Sequence, residues 1–214
     1  MVTSIVVIGA GGFGRECLDV VSAIFDAAGA PAWTVRGVVD DSPSVENLGR
    51  LAARGITYLG AEQDVLNVVA PGAAVAAVGS PIARERLARR WEEAGWNFPA
   101  LVHPRAHLGS RSPIAEGLVV CAGAQVSTNV RLGSHVHINP NATIGHDAEL
   151  RDFVSVNPGA IVSGEVTIDR MALIGAGAVV LQGLSVGARS IVGAAACVTR
   201  DVQAETTVKG VPAS

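Results

Sequence analysis

Residues 138–180, INPNATIGHDAELRDFVSVNPGAIVSGEVTIDRMALIGAGAVV, return an aliphatic side chain at every sixth position: Ile138, Ile144, Leu150, Val156, Val162, Ile168, Ile174, Val180. Followed back to Leu108 and on to Val198, the step holds at sixteen positions, all Leu, Ile or Val. At a chance rate of roughly 0.3 per position for these residue types, coincidence is negligible. A period of six is neither the 3.6 of a helix nor the 2.0 of a plain strand. It suits a short strand followed by a tight turn. Three such units close a triangular coil of 18 residues, and coils stack at the sheet spacing of ~4.8 Å. The aliphatic position fills the prism. The residue after it, often Gly or Asn (Gly109, Asn139, Gly145), is expected to turn the corner. Sixteen units make a little over five coils, a prism roughly 25 Å long, with no inserted loop because the register never slips.

Upstream the pattern changes. TSIVVIGAGGFGRECLDVVSAI reads as an apolar strand, a glycine loop and a helix. TVRGVVDD is a second strand with an acidic end, followed by a strand around ITYL, a helix near AEQDVLNVV, a strand AAVAAVG and a helix PIARERLARRWEEAG. Alternating strand and helix implies a small parallel α/β sheet, Rossmann-like, over residues 1–100, with the prism over 101–214. Residues 9–14, GAGGFG, satisfy G-x-G-x-x-G after a strand and before a helix, the context in which a phosphate lies on the helix N-terminus. The sheet is short, so a mononucleotide suits it better than NAD. Asp40 and Asp41 end the second strand, where carboxylates accept hydrogen bonds from a ribose or a base. The competing reading is tight strand–helix packing with a surface Asp-Asp turn.

Composition excludes other classes. The 214 residues carry a formal net charge of −3, 16 basic against 19 acidic, with no basic cluster, so no nucleic-acid footprint is expected. No apolar run reaches the ~18–20 residues of a membrane span, and the N-terminus has no basic n-region of a signal peptide. Three cysteines, unevenly spaced, make neither a disulfide framework nor a metal knot, which points to a reduced, cytoplasmic protein. His135 and His137 share one face of an extended segment, but no third ligand falls in their column. They read as polar residues on an outer face, and no metal is expected.

The glycine loop, the acidic end of the second strand, VAAVGS, the HP at 103–104, INPNATIGHDAEL, NPGAIVSGEVTI and the closing VKGVPA together resemble one family. It is the bacterial sugar acyltransferases with hexapeptide repeats, which include sialic acid O-acetyltransferases and nucleotide-linked 4-amino-sugar N-acetyltransferases. The resemblance implies a left-handed parallel β-helix, acetyl-CoA as cosubstrate, and a homotrimer with sites between subunits. It implies His146 as general base and Asp147 as its partner, an adjacent anion that favours the imidazolium and so suits a base. It matches Gly164 to a backbone N–H that polarises the thioester, and Ser155, Ala176 and Ala194 to positions along the acetyl-CoA arm. Gly11, Gly12, Phe13, Asp40, Asp41 and Gly79 match nucleotide-sugar contacts, and Asn139 a position close to the base. One placement also has a geometric sense: 164 is 18 beyond 146, so Gly164 lies one coil above His146.

Two positions depart from the family. Phe13 and Ser155 stand where many relatives carry histidines, and a serine hydroxyl can hydrogen-bond but cannot become a cation. The expected reaction is transfer of acetyl to the amino group of a nucleotide-linked 4-amino sugar. The alternatives are an O-acetyltransferase acting on a sugar hydroxyl, and a non-catalytic hexapeptide-repeat protein that binds nucleotide sugars.

Overall fold

A strand buried on both faces needs no polar alternation, and Ile5, Val6, Val7 and Ile8 are accordingly at most 3% exposed. They belong to β1 (Thr3–Ile8), the centre of a four-stranded parallel sheet in the computed structural model, which describes residues 3–28 and 33–214. β1 leads into α1 (Gly12–Ala28), then β2 (Trp33–Val39), α2 (Val45–Ala52), β3 (Tyr58–Gly60), α3 (Glu62–Val68), β4 (Ala73–Ala76) and α4 (Pro81–Glu93). The sheet order is β3-β2-β1-β4, so the chain leaves β1 on one side and returns on the other. α2 was not legible as a period; Ser44 starts it by accepting the Asn47 amide hydrogen on its side chain. Residues 1–99 form one compact unit and residues 100–214 a second.

The second unit is a prism of two-residue parallel strands on three faces. Among the described residues, the first face has seven strands, from Leu101–Val102 to Thr207–Val208, and the second six, from His107–Leu108 to Cys197–Val198. The third has four, from Arg131–Leu132 to Ser185–Val186. Each strand pairs with residues 18 away, as His137 with Ser155 and Thr143 with Ile161. The inward Ile138, Ile144, Val156, Val162, Ile168 and Ile174 have no exposed surface. Alanine or valine four places after each, such as Ala142, Ala148 and Val154, fills the corners of the interior.

Three expectations are corrected. The left-handed backbone sits three residues after the aliphatic position, not one: φ is 57° at Asn129, 58° at Asn141 and 61° at Asp147. The residue directly after the aliphatic one is where coils approach most closely, and a side chain on Gly145 would overlap the backbone at Gly164. Second, Ile114 is 59% exposed and forms no strand, so the period breaks at the first turn of the prism. Pro113 has no N–H to give to the coil above, a bond that Arg131 makes to Ala148 one step on. The Val130 amide instead donates to the Ser112 hydroxyl. Third, His135 and His137 are each only 2% exposed. His135 stacks on Phe153, ring centroids 4.8 Å apart and 3° from parallel, in a corner column of left-handed residues.

Candidate active site

The corner joining the second and third faces carries residues 145–148. Ile144 anchors it inward, and the turn at Asp147 is held by its amide donating to Thr128 O at 3.1 Å. One coil on, Glu165 N donates to His146 O at 2.9 Å. On this frame His146 Nδ1 lies 2.7 Å from Asp147 Oδ2, both side chains about half-exposed. Asn129, one coil below, donates through Nδ2 to Asp147 Oδ1 at 3.1 Å. The His146 hydrogen bond, and after it the Asn129 one, hold the Asp147 carboxyl below its ordinary range. A carboxylate only accepts, so the proton between the pair belongs to Nδ1 and the lone pair to Nε2.

That lone pair faces Gly164. A Cβ built there would stand 2.6 Å from His146 Nε2, so the imidazole occupies the space that the missing side chain leaves. Gly164 O accepts from Gly183 N at 3.0 Å, while its N–H makes no hydrogen bond to another described residue. One corner thus presents a basic nitrogen and an uncommitted backbone donor, the two groups that acyl transfer needs on either side of a carbonyl. The step of 18 that stacks Gly164 over His146 also stacks Asp147 over Asn129, a residue that only the period could have pointed out.

The remaining prism candidates stand elsewhere. Asn139, Ala176 and Ala194 occupy the corner between the first and second faces, and Ser155 lies on the first face, 1% exposed. Asn139 donates to Val156 O and to Asn157 Oδ1, both at 3.1 Å, forming a ladder along that corner. Ala176 and Ala194 are exposed, with Ala195 N donating to Ala176 O at 2.9 Å. A single chain does not bring these residues to His146.

In the first unit a cleft of about 250 Å³ opens at the C-terminal ends of β1, β2 and β4, where the chain reverses direction across the sheet. Asp40 and Asp41 line it, with Ile8, Val39, Val78 and Leu87 supplying apolar wall. Both acids also serve the backbone: Asp40 accepts from Ala10 N at 2.8 Å and Ser42 N at 2.9 Å, and Asp41 from Glu62 N at 2.8 Å. Gly14 touches the Gly9 carbonyl, whereas Gly11, Gly12 and Gly79 have open space where a side chain would project. The motif's last glycine therefore packs helix on strand, and the middle ones leave room for a ligand. Phe13 sits among them, half-buried, on the first turn of α1. Arg86 of α4 also lines the cleft, and sequence reasoning passed over it because nothing in its spacing separates it from the helix's other arginines. Among the described residues, no group of three or more His, Cys, Asp or Glu is placed to hold a metal ion.

Comparison with known proteins covers both units. Residues 4–91 match the family model described as the PglD N-terminal domain. The acetyltransferase domain of PglB from Neisseria gonorrhoeae, solved with acetyl coenzyme A, is 30% identical over 99% of this chain and 98% of that one, with a TM-score of 0.85. PerB from Caulobacter crescentus, solved with CoA and GDP-perosamine, is 27% identical over 100% and 97%, TM-score 0.86. WeeI from Acinetobacter baumannii is 27% identical over 99% of each, TM-score 0.84. No match was found among curated protein sequences. With both units aligned end to end at this identity, and with the six-residue period and glycine loop that first suggested it, the chain belongs to the hexapeptide-repeat sugar acyltransferases.

Proposed function

We propose that this protein moves acetyl from acetyl-CoA to the amino group of a nucleotide-linked 4-amino sugar. The observation that carries the reading is the His146 imidazole, hydrogen-bonded to Asp147 through Nδ1 and facing Gly164 through Nε2. It stands on a chain alike, from end to end, to enzymes solved with CoA and an amino-sugar nucleotide. The sugar amine attacks the thioester carbon, forming the C–N bond, and Nε2 takes the proton this nitrogen sheds. The Gly164 N–H receives the developing oxyanion, the C–S bond breaks, and the thiolate leaves with no covalent enzyme intermediate. Gly11, Gly12, Phe13, Asp40, Asp41 and Gly79 hold the nucleotide sugar in the first unit, and the prism carries the transfer. Ala176 and Ala194, small and exposed, line the CoA arm and leave room for it, Asn139 stands by the acceptor, and Ser155, buried on the first face, offers the arm no surface.

The placement of these residues on two prism corners supports a homotrimer. His146 and Gly164 stand on one corner and Asn139, Ala176 and Ala194 on another, so one complete site needs two copies of the chain. Three prisms packed around an axis bring unlike corners together three times. The half-exposed Ile161, Leu181 and Ile191 give such packing an apolar surface. A cytoplasmic setting fits the free thiols of Cys17, Cys121 and Cys197.

The test is release of CoA thiol from acetyl-CoA against UDP-, dTDP- and GDP-linked 4-amino sugars, with His146→Ala alongside. Turnover on one nucleotide that collapses in the variant is the expected result. Silence with CoA binding intact moves the acceptor to a sugar hydroxyl. Silence without CoA binding removes the enzyme reading. Light scattering gives the subunit number.

A further inference from the structure

We propose that Asn129 is a positioning residue of the reaction, acting on His146 through Asp147. The proposal rests on the acyl-transfer reading above and adds a group one full coil, 18 residues, from the base's carboxylate partner Asp147. Each oxygen of the Asp147 carboxylate has one partner: Oδ2 faces His146 Nδ1 at 2.7 Å and Oδ1 receives Asn129 Nδ2 at 3.1 Å. A carboxylate held on one oxygen only can rotate about its last torsion, which is broad for aspartate. Held on both, it has one orientation, and so has the imidazole hydrogen-bonded to it.

The corner itself is indifferent to this pair. Asn129 and Asp147 both have left-handed backbone, φ 57° and 61°, and their amides are secured by Ser110 O and Thr128 O. The same conformation is taken along the prism by Met171, Arg189 and Ala195, so it imposes no amide side chain. What distinguishes residue 129 is the donor it presents to an exposed carboxylate whose other oxygen orients the base. Loss of that donor leaves the fold intact and lets the Asp147 carboxylate, and with it the tautomer and angle of His146, wander.

Full-length Asn129→Gly and Asn129→Asp are compared with wild type, and Arg189→Gly serves as a control at another left-handed corner. Glycine accepts this backbone without strain and removes the donor. Aspartate keeps size and shape but turns the donor into an acceptor. Asn129→Gly should lower kcat about tenfold, with KM for both substrates unchanged within about twofold. Asn129→Asp should be no better, while Arg189→Gly keeps wild-type kcat. Wild-type kcat in Asn129→Gly, recovery in Asn129→Asp, or an equal loss in Arg189→Gly overturns the proposal. The 15N resonances of His146 read the same point without turnover. Wild type should show one tautomer, protonated on Nδ1, and Asn129→Gly a mixture; an unchanged spectrum overturns the proposal. Wild type that turns over no amino sugar and binds no CoA would instead defeat the acyl-transfer reading and leave the spectral result standing.

Discussion

Gly164→Ala separates chemistry from stability at one atom. The new Cβ would stand 2.6 Å from His146 Nε2, 2.7 Å from Cε1 and 3.1 Å from Cδ2, where ordinary contact begins at 3.4 Å. The ring must therefore retreat by about 0.8 Å, and being half-exposed it can do so. Gly164 is not among the residues with left-handed backbone, so alanine fits its conformation. At such sites Gly→Ala stabilises by about 0.4–1 kcal/mol through the unfolded chain. For a chain of this size that is a rise in Tm of about 1–4 °C. A misplacement near 1 Å at a reacting group costs about 100-fold. Thiol release should thus fall about 100-fold in kcat/KM while the thermal midpoint holds or rises. A variant within about threefold of wild type would refute the placement of the base over residue 164.

Other outcomes follow from the same geometry. The Asp147 carboxyl is held low by its two donors, so any stability it lends is present above its unfolded pKa and lost only as pH falls through the lower folded value. Stability curves of wild type and Asp147→Asn should therefore converge only at acid pH, and curves that stay parallel at every pH would contradict it. Gly12→Ala, where space is open, should weaken nucleotide binding at least about tenfold in calorimetry without lowering Tm. Gly14→Ala, which drives a methyl into the Gly9 carbonyl, should instead destabilise the first unit by about 1–3 kcal/mol or more. Buried Glu62 accepts the Trp91 indole hydrogen at 2.9 Å; Glu62→Ala should cost about 1–3 kcal/mol in urea melts, and no loss would show that this bond adds nothing.

Inward positions were legible because burial alone dictates them: Ile144 and Leu150 cannot be polar without opening the prism. Ile114 carries the same signature and fails, since the ladder needs a donor that Pro113 lacks, and periodicity counts side chains rather than N–H groups. His135 and His137 were misread for a related reason. A two-period places them outward, but whether outward means wet depends on what stacks there, and for His135 that is Phe153. At the site, His146 and Gly164 could be paired by the step of 18. Asn129 obeys the same arithmetic. The cleft of the first unit was half-legible, because Asp40 follows a strand whereas Arg86 reaches the cleft only through the tertiary placement of α4.

The corners of the prism set aside conformational energy that only the neighbouring coil returns. Among the described residues, eleven other than glycine hold a left-handed backbone, nearly all in register along the stack, each disfavoured in isolation by about 1–2 kcal/mol. No coil is therefore stable alone, and opening propagates inward from the ends, as in a chain of coupled nearest neighbours. The first turn lacks its third strand at Ile114, and the final strand, Thr207–Val208, pairs with Ile191–Val192 after a shortened coil. Both ends are thus the points of fraying. His146 and Gly164 lie in the middle coils, where amide exchange should be slowest, so the base and the oxyanion donor keep their spacing while the ends breathe.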